Sequence, residues 1–410
     1  MATATTTVER KSPKISPGFL AWLLLIGVLI TIGLISAIQV FVKGLDITNM
    51  YDTVPWGLWI TIDLSAIALG AGAFTLSAIV YLFGLKKFTP IIRLAILVGF
   101  IGYTSALLTL VMDIGRPDRF WHPWVYWNVH SVLWEITWCI TIYLTIMLLE
   151  FLPVITENKF FDRIPWTREV AHVLHKAAPA LALLGLGISL LHQSSLGATY
   201  GIVKSRPIWF KPSMPIMFIL SAVAVGPAMT MTIAIIIEWV TGKRRISHDV
   251  LRMIAKFSAF TLLVYGYIKI WDLAATTYYG RLPSVTEAWA TLRMNTPYNF
   301  AFWVGEIIIG IVIPVVFFLV PRFNRNPAFL VMGGLCAMAG IVINRWDVTV
   351  SGLFVPLAFS PGTQYKLPAG RYFPNAIEIG VALGIIGYAL ALLTLGVKYL
   401  PIIGEPEHKS

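Results

Sequence analysis

The chain has 410 residues, 57% of them hydrophobic and only 12% charged, with a mean hydropathy of +0.78 and a formal net charge of +11. Soluble domains carry about 25% charged residues, so a charge content this low along the whole length excludes a soluble enzyme or a soluble domain on a single anchor. The basic excess falls in short connections between apolar stretches, where it reads as a topology determinant and not as a nucleic-acid footprint.

Residues 1–17 read as a polar tail. The first apolar run, from Gly18 to Val42, is longer than a signal-peptide core of roughly 7–15 residues, so no cleaved leader is expected. A bilayer crossing takes about 20 apolar residues, and about ten stretches qualify: 18–42, 56–84, 90–112, 128–152, 168–191, 213–240, 248–274, 300–321, 327–345 and 376–400. Basic connections on the side of the tail (Lys86-Lys87, Lys159 with Arg163 and Arg168, Lys243 to Arg245, Arg322 with Arg325) place both termini in the cytoplasm and the chain in the inner membrane. The opposite connections are longer and rich in Trp, Tyr, Pro and Gly.

An internal repeat organises these spans. LSAIALGAGAFTL from Leu64 returns as LSAVAVGPAMTM from Leu220. Asp113 and Asp272 end the third and seventh spans, and Asn128 precedes Glu135 by the seven residues that separate Asn299 from Glu306. Duplication of a four-helix unit accounts for this, in parallel orientation because four is even. The predicted fold is an all-α polytopic membrane protein of two tandem four-helix bundles flanked by the first and last helices. Its parts are the tail (1–17), the first helix and outer loop (18–55), the first bundle (56–212), the second bundle (213–345), and a long outer loop, last helix and tail (346–410).

Ionisable residues inside spans mark function by default, because burying one costs at least about 2.5 kcal/mol on insertion scales. Most lie toward the outer side: Asp63, Asp113, His130, Glu135, His192, Asp272, Glu306, Arg345 and Glu378. Plain ion pairing is the competing reading for Glu306 with Arg345, for Asp272 with Lys269 or another base, and for Asp113 with Arg116. Glu135, about two turns from the start of its apolar run, and His192 have no basic neighbour in sequence, which favours chemistry there. A shallow heme between His130 and His192 and a Glu135/His130/His192 metal site are the weaker readings; no metal is expected. Cys139 and Cys336 lie singly in apolar spans, so no iron–sulfur cluster is expected in this chain. Quinone chemistry fits better: a two-electron, two-proton reaction needs an apolar slot, hydrogen-bond donors and a titratable group. Trp121, Trp124, Tyr126, Trp127 and Trp134 would line the slot, or simply form an interfacial belt.

The segments VPWGLWITID, DIGR, NVHSVLWE, HQSSLGA, INRWD and RYFPNAIEIG resemble the NrfD/polysulfide-reductase membrane subunits, in particular the ten-helix branch of hydrogenase-2-type, Dsr, Hmc and Qrc respiratory complexes. The resemblance covers the second to tenth spans in order. It implies a heme-free, quinone-reactive subunit, with quinone or menaquinone as substrate. Its partners would be a ferredoxin-like iron–sulfur subunit on the outer face and further redox subunits, in an oxidoreductase complex of anaerobic respiration. Glu135 and His192 take the catalytic positions, with Asp113 on the proton route. Asn128, His130, Trp134, Gln193 and Ser194 fall at the quinone, and His130 departs from the family's usual Asn. Asp63, Arg116, Asp272, Glu306 and Arg345 complete a candidate proton route. The alternatives are a proton- or ion-coupled transporter and a passive anchor.

Overall fold

The computed structural model describes residues 16–156, 165–206, 208–280, 290–294, 298–355, 357–358, 366–367 and 370–402. Among them, ten helices are long and apolar enough to cross a membrane: α1 Pro17–Lys43, α2 Leu58–Tyr81, α3 Lys86–Asp113, α4 Val132–Thr156, α5 Glu169–Gly201, α6 Met214–Thr241, α7 His248–Tyr279, α8 Tyr298–Leu319, α9 Pro327–Phe354 and α10 Ala376–Tyr399. The remainder is turns and a two-residue antiparallel pairing of Leu357–Ala358 with Lys366–Leu367. The basic clusters Lys159 with Arg163 and most of the 1–17 tail lie outside the described residues. The polytopic all-α fold stands.

Local chemistry sets the helix ends. Ser16 caps α1, its hydroxyl accepting from the Phe19 N–H at 3.2 Å, with Pro17 at the first helical position. Asn326 and Pro327 open α9 in the same way. Asn375 and Glu378 form a reciprocal capping box on α10. The Glu378 carboxylate also takes the Asn49 N–H at 3.1 Å and the Tyr372 hydroxyl, while Trp59 donates to its backbone carbonyl at 3.1 Å. Burial, then the hydrogen bond to Glu378, holds the Tyr372 phenol above its ordinary pKa, so it stays a donor. Glu378 therefore ties the 49–59 segment to the start of α10.

Helices α2 to α5 pack as one group and α6 to α9 as another, while α1 pairs with α10 along their length. The two groups meet along α5 with α6, along α2 with α9, and where α2 and α6 cross. There Gly72 lies against the backbone of Gly226, leaving no space for a Cβ on either, and α2 breaks its regular winding at Ala71. Near the end of α5, Trp56 and Trp209 stack at 5.8 Å with Tyr200 edge-on to both, and this cluster reaches across to α9. Trp209 Nε1 donates to the Val348 carbonyl at 2.7 Å, and Tyr200 shares a 3.2 Å hydrogen bond with Thr349.

α1 is almost entirely exposed, with Leu24 at 62% and Val42 at 77%, as expected of a helix bathed in lipid. It is held to α10 where Gly33 and Gly384 bring the two backbones together. Close approach of small residues, and not hydrophobic burial, is what associates helices in lipid. Gly384→Leu is expected to pry α1 from α10; loss of disulfide cross-linking between cysteines introduced at Ile30 and Gly387 would report it, and undiminished cross-linking would refute it.

Candidate functional site

The Glu135 site is assembled from α3, α4 and α5. α4 begins at Val132, so Glu135 occupies its first turn, not a position two turns into the span. Residues 128–131 form the preceding turn, with Ser131 N–H on the Asn128 carbonyl at 2.9 Å. The carboxylate is therefore half-buried and sits where the helix dipole favours negative charge. Its partner is Ser195, whose hydroxyl donates to Glu135 Oε1 at 2.9 Å and also reaches the Leu191 carbonyl.

Ser195 is one turn from His192, which is completely buried. Ser189, His192 and Ser195 recur every three residues on one face of α5. Ser189 shares a 3.2 Å hydrogen bond with the Tyr103 hydroxyl, and the Tyr103 ring lies 5.6 Å from the His192 ring and 4.4 Å from Tyr143. Both ring nitrogens of His192 and both amide atoms of the equally buried Gln193 have no hydrogen-bond partner among the described residues. Buried polar atoms nearly always find partners, and each exception calls for a reason. Sequence reasoning missed Ser195, Ser189 and Tyr103 as members; the three-residue spacing from His192 was the available signal for the serines.

Other expected members are placed differently. Asn128 and His130 are exposed in the turn before α4. With Trp134, Asn128 lines a shallow open groove that also includes His122 and Tyr126. Trp134 Nε1 is engaged by the Pro123 carbonyl at 2.9 Å, and Trp127, Trp134 and Trp138 contact one another, so these aromatics fasten the 122–125 turn onto α4. Ser194 donates to the Leu191 carbonyl of its own helix.

Asp63, buried, and Asp113, half-buried, lie near one another toward the Leu58 end of α2 and the Asp113 end of α3, each with a carboxylate oxygen lacking a partner among the described residues. Asp63 is also an electrostatic neighbour of Tyr103. The expected Asp113–Arg116 pair is absent: Arg116 forks onto the exposed Asp118 at 2.9 and 3.0 Å, and that hydrogen bond lowers the Asp118 pKa. A two-residue offset in one turn gives Arg116 a nearer, hydrated partner.

In the second bundle one expected pairing is also corrected. Glu306 pairs with Lys269 and not with Arg345, and its Oε2 accepts from Asn344 Nδ2 at 3.0 Å. Asp272 does find a base, Lys211 at 2.5 Å, and also accepts from Ser213. Arg345 turns to Asn344 Oδ1 at 2.9 Å and Ser221 at 2.8 Å, with its guanidinium 3.7 Å over the Phe218 ring. The repeat is thus legible in contacts. In each bundle the glutamate of the third helix takes a side-chain donor from the fourth: Ser195 in the first, Asn344 in the second. Only the second copy adds a lysine. Among the described residues no group of three or more His, Cys, Asp or Glu side chains is arranged to hold a metal ion.

A multi-pass helical membrane protein with a buried polar centre between three helices of one bundle, and a lysine-paired counterpart of its glutamate in the next, is the class that fold and site define. The chain belongs to the NrfD polysulphide reductase family, whose model matches residues 46–356. It is 33% identical to the menaquinone reductase integral membrane subunit of Nitratidesulfovibrio vulgaris, over 94% of this chain and 92% of that protein. The probable Ni/Fe-hydrogenase 2 b-type cytochrome subunit of Escherichia coli is 26% identical over 93% and 92%. The Hdr-like menaquinol oxidoreductase integral membrane subunit of Archaeoglobus fulgidus is 23% identical over 92% and 93%.

Proposed function

We propose that this chain is the quinone-reactive membrane subunit of a respiratory oxidoreductase complex. In this reading it exchanges electrons between the membrane quinone pool, menaquinone first, and an iron–sulfur partner docked on its outer loops, with both termini in the cytoplasm. The observation that carries it is the set of unpartnered polar atoms on His192 and Gln193, buried within one turn of the Glu135–Ser195 hydrogen bond. A quinone needs donors for its carbonyl oxygens and a proton exchanger with access to water. His192 offers an N–H in either tautomer, Gln193 a second donor, and Ser195 a relay to Glu135. Reduction takes two electrons from the partner and two protons through these side chains; quinol oxidation returns them by the same groups.

Asp63 and Asp113, through Tyr103, form the proton connection on the α2 and α3 side. Arg116, Asp272, Glu306 and Arg345 are read instead as surface or bundle-closing charges. The relatives' names favour this function over a transporter, and turnover of the purified complex with a soluble menaquinol analogue separates it from a passive anchor.

His192→Ala is expected to raise KM for that analogue roughly tenfold, the loss of one hydrogen bond to a polar ligand atom, with the complex still assembled. An unchanged KM would remove His192 from the site. The chain is also read as carrying no heme or cluster of its own, so the isolated subunit should give a reduced-minus-oxidised spectrum without a Soret feature; a stoichiometric Soret band would overturn that part.

A further inference from the structure

The second bundle encloses a partly open cavity that the quinone reading does not use. It is lined by four cations, Lys211, Lys269, Arg293 and Arg345, and by the rings of Phe218 and Phe302. Three of the cations have carboxylates: Lys211 on Asp272, Lys269 on Glu306, and Arg293 on Asp347 at 2.5 Å. Arg345 has none among the described residues. Among the described residues its two terminal nitrogens go to the neutral Asn344 and Ser221, its Nε has no partner, and the residue is 1% exposed. Counted over the described residues, the site therefore holds one more positive charge than negative, in a place where an unpaired charge is strongly destabilising.

We propose that this cavity binds the phosphodiester of an anionic phospholipid headgroup. Arginine and lysine are the natural donors to phosphate oxygens. One phosphodiester carries the single negative charge that balances Arg345. Free phosphate carries more charge at neutral pH and has no apolar part. The same two helices offer surface to acyl chains: Ile270 is 67% and Trp271 50% exposed on α7, and Phe300 66% and Trp303 41% on α8.

The test uses the full chain, delipidated in detergent, with binding of short-chain phosphatidylglycerol followed by native mass spectrometry and thermal shift. One saturable site is expected, weakened about tenfold or more in Arg345→Gln, as loss of a charge-assisted hydrogen bond requires. Asp272→Asn, which frees Lys211, should move the affinity the other way and keeps the test decisive where the arginine variant does not fold. Inorganic phosphate, chloride and zwitterionic phosphatidylcholine are run alongside. An equal shift from any of the three overturns the assignment, as does wild-type binding in Arg345→Gln or unaltered affinity in Asp272→Asn. The readout is independent of quinone turnover, so it stands or falls separately from the function proposed above.

Discussion

Glu135→Gln is expected to cut quinone-linked turnover by at least about 100-fold, the lower end of what a positioned acid–base group contributes, while the complex assembles normally. Glutamine is nearly isosteric, and its amide oxygen still accepts the 2.9 Å hydrogen bond from Ser195. What it removes is proton exchange. The decisive comparison is single-turnover reduction against steady-state kcat on purified complex: both should fall together with KM little changed. Near-wild-type kcat would place the proton chemistry elsewhere, with Asp63 and Asp113 next in line. Ser195→Ala should give a smaller loss in the same direction, because water can replace a hydroxyl relay but not the carboxylate.

Lys269→Met should have the largest effect on stability. It leaves Glu306, 3% exposed, without its cationic partner and with the neutral Asn344 as donor. Removing one member of a buried pair costs about 3–5 kcal/mol because the other charge is stranded. The expected result is a clear drop in the thermal midpoint of the purified protein, partly recovered by adding Glu306→Gln, which removes the stranded charge as well. An unaltered midpoint in the single variant, or no recovery in the double, would contradict the pairing. Quinone KM in whatever Lys269→Met protein survives should stay close to wild type, since the first bundle is untouched.

Much of the architecture could be read from the chain because lipid enforces it. Backbone groups have no water partners in the bilayer core, so helices must run its full thickness, and apolar length reports them directly. Boundaries at the interface are less constrained. The NVHS segment looks continuous with the apolar run, yet it turns, and Glu135 moves from two turns deep to the first turn of α4. Partners were harder still. Arg345 was the nearest base to Glu306 by repeat logic, but Lys269 reaches it from α7, a choice that depends on how three helices rotate against one another. Ser195 lay in plain view within HQSSLG, though nothing in the sequence distinguishes the serine that faces Glu135 from Ser194, which turns back to its own backbone.

The contact of Gly72 with Gly226 has a mechanical consequence. Alternating-access carriers work by rocking one half against the other about a site at their interface. Here no side chains intervene to slide, and the outer rim is pinned by Trp209 to Val348 and by Tyr200 to Thr349. Rocking would press main chain into main chain or break that rim. The two bundles are therefore expected to move as one frame, unlike the halves of carriers that rock about their interface.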